Sequence, residues 1–139
     1  MKNKTFLEMK LRDLQTYINS GFDQDIKTIS AWETVELNDA RALYQQKLSD
    51  LNQKLAEQLG VVRKSLQECP DNKKQKLLQQ EEFIKKALES EKTETEKNYM
   101  AWKIQIREEA YIKRMKAESK LANTKNEADI VANQIANLK

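Results

Sequence analysis

The sequence contains no histidine, and cysteine and proline each occur only once in its 139 residues. Histidine is the commonest metal ligand and the usual general base near neutral pH, so its absence removes the most frequent basis for either kind of site. The lone Cys69 excludes an internal disulfide and a zinc site built from several thiolates. We therefore expect no metal and no cofactor, and we expect that the protein is not an enzyme.

Glycine is equally scarce, with two residues in the chain, and long apolar runs are missing. Two glycines are too few for a glycine-rich phosphate-binding loop. No stretch approaches the roughly 18 apolar residues of a transmembrane helix, so none is predicted. The N-terminal residues include lysines but lack the uninterrupted apolar core of a secretory signal. These features favour a cytoplasmic protein.

The residues that are abundant are those of long helices. Charged residues make up 34% of the chain, and much of the remainder is Gln, Leu and Ala. Such a composition is typical of coiled coils and other long helices. Because turn-forming residues and runs of β-branched residues are few, the sequence predicts an all-α protein without strands.

The strongest pattern is an 11-residue repeat of apolar residues between Phe22 and Leu66. Steps of four, three and four residues reach 13 positions, of which only Glu33 is not apolar. The positions are Phe22, Ile26, Ile29, Glu33, Leu37, Ala40, Tyr44, Leu48, Leu51, Leu55, Leu59, Val62 and Leu66. An 11-residue repeat corresponds to about 3.67 residues per turn, so a nearly straight helix keeps these side chains on one face. Such a helix needs a long partner.

Pro70, near the middle of the chain, predicts the turn that supplies this partner. Proline lacks the backbone donor that a helix interior requires and disfavours a helical residue before it. We expect one domain with a first long helix over residues 21–68, a turn over 69–72 and a second long helix over 73–139, capped by Asp71 or Asn72. A short turn makes helices antiparallel neighbours. The predicted fold is a long antiparallel helical hairpin, a two-helix coiled coil with 11-residue periodicity.

Residues 1–20 form a separate helical segment, with four apolar residues at heptad spacing between Leu7 and Ile18. The pair Ser20-Gly21 that follows either breaks the helix or is crossed by it, because glycine costs a helix only about 1 kcal/mol relative to alanine. We expect the hairpin to be completed either by this segment, folded back as a short third helix, or by dimerisation.

The polar stretch 89–98 leaves a gap in the second helix. If the chain folds back at Pro70, facing residues have numbers that sum to about 141, and this stretch offers no apolar residue to Leu48 and Leu51. These leucines are then partly exposed, and exposed apolar surface commonly marks an interaction site. The alternative is that they are covered within the chain.

Aromatic residues cluster further along the two helices, and a second apolar stripe runs beside the main one. This stripe comprises Met100, Ile104, Tyr111, Met115 and Ala122. The combined apolar arc is wider than a two-helix seam requires, so these residues fill a core with a third helix or bind a partner. The candidate protein-binding residues are Trp32, Tyr44, Leu48, Leu51, Tyr99, Met100, Trp102 and Tyr111.

A basic patch on the second helix consists of Lys113, Arg114, Lys116 and Lys120. Phosphates of nucleic acid or of a membrane surface would be attracted to it. Glutamates interleave with the basic residues, which favours an ordinary solvated surface over nucleic-acid binding. Weak binding to nucleic acid or to a membrane surface is the alternative function.

The expected function is that of a non-enzymatic protein–protein interaction module, such as a scaffold, adaptor, chaperone or assembly stalk. Its partner would be a second copy, giving a homodimer, or another protein, giving a hetero-complex. In length, slight positive charge and lack of a catalytic site, the chain is similar in outline to the hairpin stalks of flagellar and type III secretion export ATPases. This resemblance rests on outline rather than on a motif, and implies binding to a hexameric ATPase ring through the helix ends remote from Pro70.

Overall fold

The computed structural model describes residues 2–138, and these residues are almost entirely helical. Helix α1 spans Lys2–Thr16, a π-helical turn spans Tyr17–Gly21, α2 spans Phe22–Glu68 and α3 spans Asp71–Ala136. No strand occurs within residues 2–138. The predicted all-α helical hairpin is confirmed, because α2 and α3 pack against each other along their apolar faces. No helix in the described part of the chain is long and apolar enough to cross a membrane.

The N-terminal segment continues the first long helix and does not fold back. Thr16 and Phe22, on either side of the π turn, both have α-helical backbone angles. Lys10 of α1 forms an ion pair of 2.9 Å with Glu127 of α3. The expected third helix is therefore wrong, since α1 packs along α3 as the rest of the first helix does. A π turn inserts a residue into a helix without ending it, which is how the chain passes Ser20 and Gly21.

The turn of the hairpin consists of Cys69 and Pro70. Helix α2 ends at Glu68, as the proline predicts, and α3 begins at Asp71, two residues before the expected start. The amide of Lys73 donates to the Pro70 carbonyl at 3.0 Å, and Lys74 pairs with the Asp71 carboxylate at 3.0 Å. Asp71 is thus the first residue of α3 rather than its cap.

The chain divides into two compact units. Unit 1 consists of Met1–Glu36 and Ile106–Lys139, and unit 2 of Leu37–Gln105, which includes the turn. Each unit is a pair of antiparallel helical segments. The expectation of a single domain stays a prediction.

Unit 2 is held together by the predicted apolar repeat of α2. Its members Ala40, Leu51, Leu59 and Val62 are buried, and its other members in this unit are half-buried. The residue numbers of facing pairs sum to 143 for Tyr44 and Tyr99 and to 144 for Arg63 and Glu81, rather than to 141. The first six residues of α3 are exposed, and its seam residues begin at Leu77.

The seam face of α3 departs at regular intervals from a simple continuation of the 11-residue repeat. The steps of the α2 repeat, started again at Leu77, reach Gln80, Glu91, Trp102 and Lys113, but these residues are exposed. Their successors are half-buried instead, and all are charged: Glu81, Lys92, Lys103 and Arg114. Long charged side chains can bury their stems while the charged ends reach solvent or a partner. The 11-residue repeat of α3 is therefore real, with one charged position in each repeat.

Unit 1 has a shallow core. Its buried residues on α3 include Ala110, Ala117 and Ala128, which allow close approach of the facing helix but bury little area each. From Leu121 onward the seam residues of α3 follow heptad steps to Ile135, and α1 opposite them has heptad spacing too. Among the described residues of the whole chain, no large side chain is completely buried. The interior therefore covers only part of the apolar residues.

Candidate protein-binding groove

A stacked pair of tyrosines lies in unit 2, toward the end remote from the turn. The rings of Tyr44 on α2 and Tyr99 on α3 are nearly parallel, at 8°, with centroids 4.3 Å apart. The Lys103 ammonium lies 4.6 Å from the centroid of the Tyr99 ring. Such a stack contributes about 0.5–1.5 kcal/mol beyond the burial of area. The predicted candidates Tyr44 and Tyr99 are thus brought together, and they bind each other.

Beside this stack lies a groove between the two helices of unit 2. Each helix contributes residues at positions i, i+3, i+4 and i+7, which share one side of a helix. The groove is lined by Ala40, Leu43, Tyr44 and Lys47 of α2 and by Thr95, Asn98, Tyr99 and Trp102 of α3. Its shape follows from the small side chains of Ala40 and Thr95, which leave space between the larger residues.

The floor of the groove is buried and its rim is exposed. Ala40 and Thr95 are buried, and the Thr95 hydroxyl donates to the Glu91 carbonyl at 2.8 Å, so its hydrogen bond is already made. On the rim, Leu43 is 59% exposed and Trp102 is 37% exposed. An exposed leucine and tryptophan beside a buried floor favour contact with another apolar group.

The volume of the groove limits what it can hold. It encloses about 150 Å³, whereas sites for small molecules and cofactors usually enclose about 300–1,000 Å³. A space of this size between two helices fits one or two side chains of a third helix, as a knob fits a hole in helix packing.

For the leucines opposite residues 89–98, the structure agrees with the second alternative, cover within the chain. Leu51 is only 6% exposed, and Leu48 is half-buried. The polar stretch remains helical, and the observed register places Lys92 opposite Leu51 and Thr95 opposite Leu48. The half-buried Lys92 covers apolar surface with its methylene stem. Leu51 is therefore covered within the chain and not open to a partner.

In unit 1, the basic patch makes contacts across the seam. The Lys113 ammonium lies 3.3 Å from the centroid of the half-buried Trp32 ring. The guanidinium of Arg114 donates to Glu33 at 2.8 Å and to the Ser30 hydroxyl at 3.3 Å. These contacts explain the one charged residue in the α2 repeat, since Glu33 is the partner of Arg114.

The remaining two residues of the basic patch, Lys116 and Lys120, differ in their contacts. The Lys120 ammonium lies 4.3 Å from the centroid of the Tyr17 ring, whereas Lys116 has no ion pair or ring contact among the described residues. Three of the four basic residues therefore have a role in holding unit 1 together.

The π turn contains a contact that the sequence analysis missed. The Tyr17 hydroxyl donates to the Asp25 carboxylate at 3.1 Å, with its ring lying over Gly21. Desolvation raises the pKa of Tyr17 above its usual value of 10.0, and the hydrogen bond and the negative charge of Asp25 raise it further. The hydroxyl thus stays protonated and serves as a structural donor.

The second apolar stripe of α3 stays exposed. Met100 and Ile104 are more than half exposed in unit 2, and in unit 1 Tyr111 is 62% and Met115 45% exposed. Leu43, on the groove rim, was missed as a candidate because it lies outside the 11-residue repeat. Its spacing of three residues from Ala40 was the available signal.

Comparison with known proteins finds no family model, no curated protein and no solved structure that matches the chain. Within residues 2–138, no group of three or more Cys, Asp or Glu side chains is arranged to hold a metal ion.

Proposed function

We propose that the protein is a non-enzymatic interaction module whose groove in unit 2 binds a helix of another protein. The observation that carries this proposal is the exposed pair Leu43 and Trp102 above the buried floor of Ala40 and Thr95. Tryptophan is among the residues most often found at the centre of binding surfaces. Scaffolds, adaptors, chaperones and assembly stalks all use such a surface.

The chemistry of the groove specifies the kind of helix. Its walls are mainly apolar, so the bound helix presents a leucine-sized or aromatic side chain to the space above Ala40. Lys47 is the one charged residue of the lining, and it has no ion pair among the described residues. An acidic residue on the flank of the bound helix would pair with it. The partner is thus an amphipathic helix with an acidic flank.

Two alternatives from the sequence have less support. Binding to nucleic acid or to a membrane surface would require the basic patch, but Lys113, Arg114 and Lys120 already contact α2 or the π turn. The stalk of an export ATPase remains a narrower form of the proposed module, and identification of the partner as a hexameric ATPase would support it. We place the binding activity in the cytoplasm, where the free thiol of Cys69 would stay reduced.

The test compares three substitutions at exposed apolar residues. Leu43→Glu and Trp102→Ala change the groove rim, and Val61→Glu is a matched control elsewhere on α2, at a residue that is also exposed. The partner is first identified by mass spectrometry after affinity capture with the unchanged chain, and its purified form is then titrated by calorimetry. Circular dichroism confirms that each variant is folded.

We expect Leu43→Glu and Trp102→Ala each to weaken binding about 30-fold, the effect of losing a residue worth about 2 kcal/mol. Val61→Glu should bind like the unchanged chain. Equal binding by all three variants would show that the groove is not the site.

A further inference from the structure

The outer face of α3 in unit 1 carries three large apolar side chains that the chain does not cover. Tyr111 is 62% exposed, Ile112 51% and Met115 45%. They point away from Ala110 and Ala117, which are buried against the facing helix. Together with Ser119 and other residues of α3 alone, they line a shallow depression of about 590 Å³.

We propose that this face binds the same face of a second copy of the chain, with the two α3 helices antiparallel about a two-fold axis beside Ile112. In an isologous contact each residue must meet a complementary residue of the same surface. Antiparallel pairing with facing numbers that sum to about 225 satisfies this condition. Tyr111 then packs on Met115 of the second copy, and the two Ile112 side chains meet near the axis.

The charges beside this face support a second copy as its occupant. In the same register, Arg107 lies opposite Glu118 of the second copy, and Glu109 lies opposite Lys116 of the second copy. All four residues are exposed, and none has an ion pair among the described residues. The two-fold axis repeats both pairs, which gives four ion pairs at the edges of one apolar seam. Complementary charges of this kind fix the register and suppress other partners.

Each edge of the face carries one basic and one acidic residue, so in this register the face is complementary in charge to its own copy.

This inference does not rest on the proposed function. The groove lies in unit 2, and every residue of the proposed dimer contact lies in unit 1. A negative result for dimerisation would leave the proposal for the groove unaffected, and a negative result for the groove would leave the proposed dimer unaffected.

Disulfide trapping tests the two-fold axis directly. In a Cys69→Ser background, Ile112→Cys places a thiol beside the axis, within the short distance that a disulfide requires. Val61→Cys in the same background is the control, because Val61 is exposed but lies in unit 2. Under mild oxidation we expect a covalent dimer from the Ile112 variant only. No dimer from it, or equal dimer from both variants, would overturn the proposal.

A charge exchange tests the register. By light scattering over a concentration series, Arg107→Glu should weaken the dimer about tenfold, because it places like charges opposite each other on both sides of the axis. Adding Glu118→Arg should restore the affinity of the unchanged chain. The proposed dimer would be contradicted if the unchanged chain were monomeric at all concentrations, or if the double variant did not regain the dimer affinity of the unchanged chain.

Discussion

The two glycines show how much a single residue depends on its local neighbours. A Cβ atom added at Gly60 would meet no heavy atom within 4 Å. One added at Gly21 would lie 2.6 Å from Cδ2 of the Tyr17 ring. Gly60 lies within α2 and Gly21 ends the π turn, and neither has a positive φ angle, so the Tyr17 ring is what would obstruct a side chain at Gly21.

The same substitution should therefore have opposite effects at the two positions. Gly60→Ala should raise the free energy of unfolding by about 0.5–1 kcal/mol, since alanine is the better helix former and nothing obstructs it. Gly21→Ala should lower it by about 1–3 kcal/mol, because the Tyr17 ring must move. Urea denaturation followed by circular dichroism measures both.

The control removes the obstructing ring. In a Tyr17→Ala background, Gly21→Ala should become stabilising by about as much as Gly60→Ala is. If Gly21→Ala stabilises the chain even with Tyr17 present, the described packing of the ring on Gly21 is incorrect.

Sequence reasoning could not separate these glycines. The apolar repeat continues across Gly60, which predicts correctly that the helix tolerates it. The outcome at Gly21 depends on the direction of the Tyr17 side chain toward Asp25, four residues beyond the glycine. Such a contact runs along one helix and leaves no mark in hydrophobic periodicity.

At the scale of the helices, the sequence predicted α2 more accurately than α3. The α2 repeat is apolar at every position except Glu33, and the structure places all its members in the seam. The α3 repeat has a charged residue at every eleventh position. The spacing of the α2 repeat points instead to the residue before it, which is exposed. For this reason the 11-residue spacing reaches Trp102, which lies on the groove rim, and passes over Lys103, which is half-buried in the seam. The methylene stem of a lysine or arginine can pack between two helices as a leucine side chain does.

Arg114 is the position at which the contribution of a charged seam residue to stability can be measured. Its guanidinium reaches both Glu33 and Ser30, and the side chains of the ion pair are mostly covered, at 33% and 21% exposure. Arg114→Ala should lower the free energy of unfolding by about 1–2 kcal/mol, through loss of charge-assisted hydrogen bonds and of stem packing. Chemical denaturation measures the loss.

An exposed ion pair provides the comparison. The Lys74–Asp71 pair in the first turn of α3 is largely open to solvent, so Lys74→Ala should change stability by less than about 0.5 kcal/mol. Equal effects of Lys74→Ala and Arg114→Ala would show that the Arg114 contact has no special part in the seam.

At the scale of the whole chain, the central physical feature is that there are more apolar side chains than the interior can cover. A two-helix seam covers one face of each helix, and the buried residues of this seam include several alanines. Leu43, Trp102, Tyr111 and Met115 remain at the surface as a result. The sequence predicted this excess from the width of the apolar arc, but the location of the groove depended on the register, which differs from the predicted one by two to three residues in unit 2.

Site-specific photo-crosslinking from the groove rim is the most direct test of the proposed function. A photoreactive phenylalanine derivative replaces Leu43 in one variant and the exposed Val61 in another, and each is irradiated in extracts of the cells that make the protein. The groove predicts one defined protein adduct from position 43, mapped by mass spectrometry to an amphipathic helix with an acidic flank, and no such adduct from position 61. The absence of any adduct at position 43, or the same adducts from both positions, would contradict the proposal.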